Sequence, residues 1–426
     1  MYQSAARYLV DVLLEGPERP FFQQAFWTLR KLRKRINYSP PDLEDLTRFP
    51  VVSFSKHFQD EYNYFLGEFF YDYNDFRRAL TYFELVSEEA PDYAKAIYLT
   101  GLVQVQNNLY RSAVQSFQIA VTSTEQNDSN PEVADLAYLA LARIAYEAEN
   151  FDAAIFYYRK VPANSNKVAT AFYESAWTYF VKGDYSRALG TFQVLHSPFF
   201  EHYFHPELWI LEATIYVNLC HYESAREAIN QFNIKVNALA IPLKRLLSRL
   251  RTPLDYFKAL RKISEGQQEY LVDRRITFPV LANVEFYNLF KTVKQIQWEE
   301  DEIAKVKDTL GQFGNDLHAK LGSLRLSAVN AAGIKVQQVL KQVEAEMADY
   351  AVKVTEIEVD LSAEEIMRKT RQLQGVVEEE TKSAETEAGG TRAIIGSDSM
   401  SLGFEGEYWK DAIGGFRSFL KSKCAK

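Results

Sequence analysis

Histidine and carboxylate side chains are concentrated in the stretch SPFFEHYFHPELW, from Ser197 to Trp209. The chain has six histidines, and four of them lie in this neighbourhood: His196, His202, His205 and His221. Imidazole nitrogens and carboxylate oxygens at such density can hold a zinc ion. The stretch is therefore a candidate metal site, provided that the elements around it bring the histidines together.

Those elements belong to a repeat that runs from about residue 60 to about residue 235. An aromatic residue is followed three positions later by an alanine, and four positions after that by a large apolar residue. The anchoring alanines are Ala79, Ala113, Ala154, Ala188 and Ala225, separated by 34, 41, 34 and 37 residues. Twelve residues before them stand the small residues Gly67, Gly101, Ala142, Ala176 and Ala213. Small side chains at both positions let two helices approach closely, so each unit is predicted to be a helix–turn–helix that needs stacked neighbours.

The period and the anchors resemble the tetratricopeptide repeat. The best-matching unit, YNYFLGEFFYDYNDFRRALTYFELVSEEAP, carries the family's residues at Leu66, Gly67, Phe70, Ala79, Phe83 and Pro91. Later units have small residues in place of the glycine, and most lack the closing proline. The resemblance covers roughly 175 of the 426 residues. It implies an all-α fold, an α-solenoid followed here by long coiled-coil-like helices, but it names no partner.

In a stack of this kind the first helices line the concave face, and fixed offsets from the alanines identify its rows. The predicted groove residues are Tyr64, Tyr71, Tyr98, Arg143, Tyr146, Tyr173, Trp177 and Phe180. Tetratricopeptide domains that clamp a C-terminal carboxylate carry Lys, Arg and Asn in these rows, whereas this chain carries mostly aromatic residues. An aromatic groove suits an apolar or helical segment of a partner protein. The alternative is that these aromatic side chains are core.

The regions on either side of the repeats are also predicted to be mostly helical. Residues 1–60 form an N-terminal helical cap, 61–235 the five repeats, 236–298 a helical continuation, 299–375 a coiled-coil hairpin, 376–403 a flexible linker and 404–426 a C-terminal aromatic segment. From Val336 to Leu361 the apolar residues alternate at spacings of four and three, which indicates a coiled-coil seam. We expect two long helices joined near 325–335 to pair within one chain; pairing with a second copy is the alternative.

The two ends of the chain offer further surfaces. The helix FFQQAFWTLRKLRKRINY has a basic cluster from Arg30 to Arg35 that could rest on anionic lipid. The favoured interpretation is a capping helix with a solvated basic face. At the other end, Tyr408, Trp409 and Phe416 form an apolar face behind the predicted linker. A tethered aromatic segment requires a groove, and we expect it to pack on its own chain rather than on a partner.

Composition and motifs exclude several classes of function. The net charge of −8 disfavours a general nucleic-acid partner. No apolar run approaches the roughly 18 residues of a membrane span, and no signal peptide is visible. HExxH, CxxC, Gly-x-Ser-x-Gly and Gly-rich phosphate loops are absent, so neither an enzymatic activity nor a cofactor is predicted. Cys220 and Cys424 make no disulfide framework and are expected to be free thiols.

Short matches in YFHPELWILEA and EGEYWKD, together with the repeats and the coiled coil, are similar to envelope tetratricopeptide proteins of the motility machinery of gliding or predatory bacteria. That resemblance implies a periplasmic or outer-membrane-associated location, with the cytoplasm as the alternative. The predicted function is a non-enzymatic protein–protein interaction scaffold of an envelope assembly. The alternative is a peripheral subunit that binds membrane or envelope polymer through the basic N-terminal helix.

The repeat also locates the histidines. The stretch SPFFEHYFHPELW joins the second helix of the fourth unit to the first helix of the fifth, whereas His221 lies in the turn inside the fifth unit. That turn is about 20 Å away, one helix length at roughly 1.5 Å per residue, so at most His196, His202 and His205 can meet. We expect a structural junction filled by aromatic side chains and no metal; a zinc site of these three histidines is the alternative.

Overall fold

Helices account for all the regular secondary structure in the part of the chain that the structure describes. The computed structural model describes residues 2–33, 40–127, 130–200, 203, 205–264, 273–373 and 415–424. Seventeen α-helices and three short 3-10 helices occur in these ranges, without a strand among them, which confirms the predicted all-α class. The chain divides into two compact units: Met1–Ile144 with Leu243–Val343, and Ala145–Pro242 with Glu344–Lys426.

The first unit begins with a cap made of helices α1 (Tyr2–Leu14) and α2 (Phe22–Arg33) and a 3-10 helix (Pro41–Arg48). Phe22, Phe26 and Leu29 follow one another at spacings of four and three, so they share one face of α2. All three side chains are fully buried. The rings of Phe22 and Phe26 lie 6.2 and 5.1 Å from that of Phe58, on the next helix. The cap therefore covers the apolar side of the first repeat.

Five helix pairs follow, at the positions that the alanine anchors predict. They are α3–α4 (Lys56–Asp72, Phe76–Phe83), α5–α6 (Tyr93–Gln106, Tyr110–Asn127), α7–α8 (Pro131–Glu147, Phe151–Tyr158), α9–α10 (Val168–Lys182, Tyr185–Leu195) and α11–α12 (Glu207–Asn218, Tyr222–Lys235). All five anchoring alanines have 0% exposed area. A Cβ on Gly67 would lie 2.5 Å from the Phe83 ring, and a Cβ on Gly101 would lie 2.6 Å from the Phe117 ring. The glycines thus set how closely the two helices approach in the first two pairs.

The turn inside each pair contains one residue with left-handed backbone geometry. These residues are Asn74, Asn108, Glu149, Gly183 and Cys220, with φ between 57° and 80°. We call this the left-handed turn position; it ends the first helix in the way that a helix C-terminus commonly ends. In three of the turns the next residue then caps the second helix: Asp75, Asn150 and Asp184 each accept a hydrogen bond from the backbone N–H three residues on.

The chain continues through a 3-10 helix (Asn237–Leu239) into the remaining helices. These are α13 (Ala240–Arg249), α14 (Pro253–Ser264), α15 (Arg274–Leu281), α16 (Val284–Val306) and α17 (Gly311–Leu373). In the first unit, α16 and the beginning of α17 form an antiparallel pair. Glu300 lies 2.5 Å from Arg325, and Glu285 forms an ion pair with Lys335. The residue that comes earlier in α16 pairs with the residue that comes later in α17, so the two helices run in opposite directions.

The turn of this hairpin lies at residues 307–310, whereas the sequence predicted a join near 325–335. Gly311 follows the turn with φ of 57°, and α17 runs unbroken through the predicted join. That passage is rich in helix-forming residues. Its glycine, Gly333, serves close packing instead of a break, because a Cβ there would collide with the backbone of Pro253.

In the second unit, the later part of α17 lies against the fifth helix pair. The Tyr350 hydroxyl donates a hydrogen bond to Glu207 Oε1 at 2.7 Å. Three apolar residues spaced seven positions apart on α17 are at most 8% exposed: Met347, Val354 and Leu361. The seam that the sequence predicted for a coiled coil is therefore buried by helices of the same chain.

Candidate partner-binding surface

Tyr64, on α3, is buried beneath the N-terminal cap. The side chain is 6% exposed, and the Arg30 guanidinium of α2 lies 5.9 Å from the centre of its ring. The Tyr64 hydroxyl donates to Glu68 at 3.2 Å. Burial raises the pKa of Tyr64 well above its usual value. The structure places this residue of the predicted groove in the core, under α2.

Two arginines of α2 are engaged by carboxylates of the first unit. Arg30 lies 2.5 Å from Glu61 and also pairs with Asp92, and its side chain is 13% exposed. Arg33 lies 3.2 Å from Asp72. The positive charges of these two guanidinium groups are offset by the carboxylates that they pair with, so the two arginines contribute little charge for attracting lipid. Basic positions 34 and 35 lie outside the described residues, and no helix in the described ranges is long and apolar enough to cross a membrane.

Tyr71, Tyr98 and Arg143 are the predicted groove residues of the first unit that reach solvent; we call them the open aromatic surface. The two tyrosines are half-buried and Arg143 is exposed. The Tyr71 ring lies 5.7 Å from Phe76, and the Tyr98 ring lies 5.7 Å from Phe117. Burial raises the pKa of both tyrosines. The charge of Tyr71 raises the pKa of Tyr98 further, whereas the charge of Arg143 lowers it. Tyr71 and Arg143 therefore each lie near enough to Tyr98 for their charges to act on it.

In the second unit, the predicted groove residues contact one another and their surroundings. Tyr173 stacks on His205, with ring centres 4.0 Å apart. Burial raises the pKa of Tyr173, and the negative charge of Glu207 raises it further. Trp177 packs edge-on against Phe180, with ring centres 6.0 Å apart. These side chains are half-buried, and their contacts are with other side chains of the second unit.

Tyr146 and Tyr173 have different surroundings. Tyr146 lies in the last turn of α7, and its ring packs 5.7 Å from Phe151, which begins α8. Tyr173 shares its neighbour Glu207 with Tyr350 of α17, whose hydroxyl bonds to that carboxylate. Tyr146 therefore closes a turn inside its own helix pair, whereas Tyr173 lies under the long helix.

The C-terminal segment, residues 415–424, is non-helical and runs along α10 and the turn of the fifth helix pair. The Ser418 N–H donates to the Ser186 carbonyl at 3.0 Å, and the Ser186 hydroxyl donates to the Ser418 carbonyl. The Lys423 N–H donates to the Leu219 carbonyl at 2.9 Å. The Phe416 side chain joins the apolar cluster of the second unit. The segment is thus bound both through its backbone and through one aromatic ring.

The segment ends in a disulfide between Cys424 and Cys220, whose Cα atoms are 5.1 Å apart. The expectation of two free thiols is therefore wrong. It failed because the cysteines are separated by 204 residues, and only the docking of the segment brings them together. Tyr408 and Trp409, which the sequence predicted to pack together with Phe416, lie outside the described residues.

The profile of the tetratricopeptide repeat family matches three overlapping windows of the chain, residues 66–131, 106–169 and 139–197. These windows fall on the helix pairs described above. The chain contains tetratricopeptide repeats. A solved structure of a tetratricopeptide repeat protein from Parabacteroides merdae is similar at 18% identity over 55% of this chain and 86% of that chain, with a TM-score of 0.34. No curated protein matches the sequence.

The fifth helix pair, α11–α12, lies beyond the windows that the family profile matches. Ala213 and Ala225, its two small anchor residues, have 0% exposed area. Cys220 occupies its left-handed turn position, with φ of 58°. The fifth pair therefore shares the buried anchors and the turn geometry of the four pairs before it.

The histidines of the stretch SPFFEHYFHPELW take part in packing. His196 stacks on Trp209 with ring centres 4.4 Å apart and lies 3.4 Å from Glu212. His205 stacks on Tyr173, and burial lowers the pKa of its imidazole. Position 202 lies outside the described residues. In the ranges that are described, no group of three or more His, Cys, Asp or Glu side chains is placed to hold a metal ion.

The position of Cys220 within its repeat does not by itself predict the disulfide. When the repeats are aligned on their alanines, Cys220 falls at the left-handed turn position, which holds Asn74, Asn108, Glu149 and Gly183 in the other repeats. Glycine and asparagine adopt this geometry readily. Cysteine has no such advantage, but neither has Glu149, so the residue type at this position does not identify a bonded thiol.

Proposed function

We propose that this chain is a non-enzymatic scaffold of a bacterial cell-envelope assembly of the motility type, and that its open aromatic surface binds an apolar or helical segment of a partner protein. Tetratricopeptide repeats are protein–protein interaction modules. The proposal rests on one contrast: Tyr71 and Tyr98 keep exposed area beside Arg143, whereas Tyr64 is enclosed beneath α2. Tyrosine and arginine are among the side chains that dominate binding energy at protein interfaces.

The compartment we propose is the periplasm, or an association with the outer membrane; the cytoplasm is the alternative. The disulfide between Cys220 and Cys424 supports it, because disulfides persist in oxidising compartments such as the periplasm and are rare in the cytosol. The short resemblance of YFHPELWILEA and EGEYWKD to envelope motility proteins agrees with it.

The binding surface is tested by affinity capture from the envelope fraction of the source organism, with the full-length chain as bait. Tyr98→Ala is expected to lower the recovery of bound proteins by about tenfold, the loss typical of removing an aromatic anchor. Tyr8→Ala is the matched control, because Tyr8 is 67% exposed on α1 and lies outside the open aromatic surface. Equal recovery with wild type and Tyr98→Ala would contradict the proposal.

The compartment is tested separately by trapping thiols in intact cells. Cells are quenched in acid, and the chain is then treated with a polyethylene-glycol maleimide, with or without prior reduction. We expect two additions only after reduction, one each at Cys220 and Cys424. Two additions without reduction would mean that the chain resides in a reducing compartment.

A further inference from the structure

We infer that the surface of α10 and the turn of the fifth repeat is a second peptide-binding site, which the chain's own residues 415–424 occupy and the Cys220–Cys424 disulfide locks. We call it the tail site. Its ligand class is a non-helical peptide with one aromatic anchor. Reduction of the disulfide by a dithiol protein opens the tail site to such a peptide from another protein.

The tail site binds the main chain of its ligand. Ser186 uses its carbonyl and its hydroxyl to bind the N–H and the carbonyl of Ser418. His221 Nε2 lies 2.7 Å from the Lys421 carbonyl, an acceptor, so Nε2 carries the proton in this contact. Hydrogen bonds to the backbone do not depend on the side chains of the peptide, which is how peptide grooves accept varied sequences.

Gly190 gives the ligand backbone access to α10. A Cβ at this position would collide with the Phe416 carbonyl and would lie 2.8 Å from the Arg417 nitrogen. Glycine is unfavourable in the middle of a helix compared with alanine. A glycine at the point of contact therefore indicates that this surface of α10 is shaped to bind a peptide backbone.

Selectivity comes from one aromatic side chain. Phe416 packs in the apolar cluster of the second unit, whereas Phe419, three residues later, is 68% exposed. The remaining side chains of the segment are exposed or half-buried. A competing peptide therefore needs an aromatic residue at the position of Phe416 and tolerates change at the position of Phe419.

The disulfide keeps the tail site filled. Cys424 is exposed, so a thiolate can reach the bond. One thiolate of a dithiol protein attacks a disulfide sulfur, and its second thiol releases the mixed disulfide. The donor becomes a disulfide, and Cys220 and Cys424 take two electrons and two protons to become thiols. The tail then stays only through non-covalent contacts on its tether and competes with other peptides.

The experiment uses a fluorescent peptide of residues 414–424 in which serine replaces the cysteine, titrated into full-length chains and followed by anisotropy. A chain with Phe416→Ala and Cys424→Ser has a weakened tail and is expected to bind the peptide. The oxidised wild-type chain is expected not to bind it. Adding Gly190→Ala to the first chain is expected to weaken binding by about tenfold or more, because the added Cβ collides with the backbone of the peptide.

The matched control carries Phe419→Ala in place of Phe416→Ala, so its own tail keeps the anchor and continues to compete. Circular dichroism checks that every chain is folded; if Gly190→Ala lowers the helix content, Ser186→Ala takes its place, with a loss of binding again expected. Three results would overturn the inference: no binding to the weakened-tail chain, equal binding to the oxidised wild-type chain, or binding that neither Gly190→Ala nor Ser186→Ala reduces.

Discussion

Two glycines of the first unit have opposite physical roles, although both lie inside helices. Gly67 faces the ring of Phe83, which is 1% exposed and cannot move aside. Gly322, on α17, faces only the end of the Glu300 side chain, at 3.2 Å from an added Cβ. Helix propensity favours alanine by about 1 kcal/mol at both sites. The atoms that the added Cβ meets therefore decide whether the substitution raises or lowers the stability of the chain.

We predict that Gly67→Ala destabilises the chain and that Gly322→Ala does not. Overpacking against Phe83 costs about 1–3 kcal/mol, which exceeds the gain in helix propensity. Thermal unfolding followed by circular dichroism measures both, with Gly322→Ala as the matched control. A Gly67→Ala chain at least as stable as wild type would show that the first helix pair can separate without cost.

His205 links stability to pH. Burial lowers the pKa of its imidazole in the folded chain, so the unfolded chain binds the proton at a higher pH than the folded chain does. Stability is therefore lost as the pH falls below the unfolded value of about 6.5 and towards the folded pKa. This direction is the one expected for a histidine that is buried in its neutral form.

We predict that His205→Phe reduces the fall in Tm between about pH 7 and pH 5.5, because the phenyl ring keeps the stack on Tyr173 but cannot take a proton. His57→Gln is the control, since the side chain of His57 is 59% exposed. A variant that follows the wild-type pH dependence would rule out His205 as the source.

At the scale of elements, α17 shows how burial distinguishes two valines of the same helix. Val354 is 4% exposed and continues the buried seam, whereas Val352 is 58% exposed. The seam is anchored at its sides by polar contacts to the fifth repeat, including the ion pair of Arg226 with Glu365 at 2.6 Å. The buried valine and the ion pair together fix which face of α17 packs against the fifth repeat.

We predict that Val354→Asp lowers stability by about 3 kcal/mol or more, because a carboxylate is forced into an apolar contact. Val352→Asp should change it by less than about 0.5 kcal/mol, as surface substitutions do. Chemical denaturation with urea gives both values. Similar losses in the two variants would mean that α17 does not hold this face against the repeats.

The helices were predictable because their signals are local. Anchors such as Ala79 and Ala225 and the turns between helices lie within one repeat, and the structure places the helix pairs on them. The partner of the α17 seam was not predictable, because the same spacing suits a hairpin, a dimer or a helix docked on repeats. For the same reason an aromatic pattern could not separate Tyr64 from Tyr98: only the position of α2 makes one of them core.

At the scale of the whole molecule, the disulfide acts mainly on the unfolded chain. It joins residues separated by 204 positions, and closing a loop of this length restricts the unfolded ensemble strongly. We predict that reduction lowers the free energy of unfolding by about 2–5 kcal/mol. The double variant Cys220→Ser/Cys424→Ser, measured with and without reductant, is the control and should show no response. An unchanged wild-type melt on reduction would contradict the prediction.

The same bond makes a covalent ring of everything from Cys220 to Cys424. A single backbone cut between these residues, including anywhere in 374–414, opens the ring. The disulfide still joins the two fragments that the cut produces. A nicked chain should therefore run as one species in non-reducing electrophoresis and as two fragments after reduction. One proteolytic cut in this ring would therefore leave the two pieces of the chain tethered.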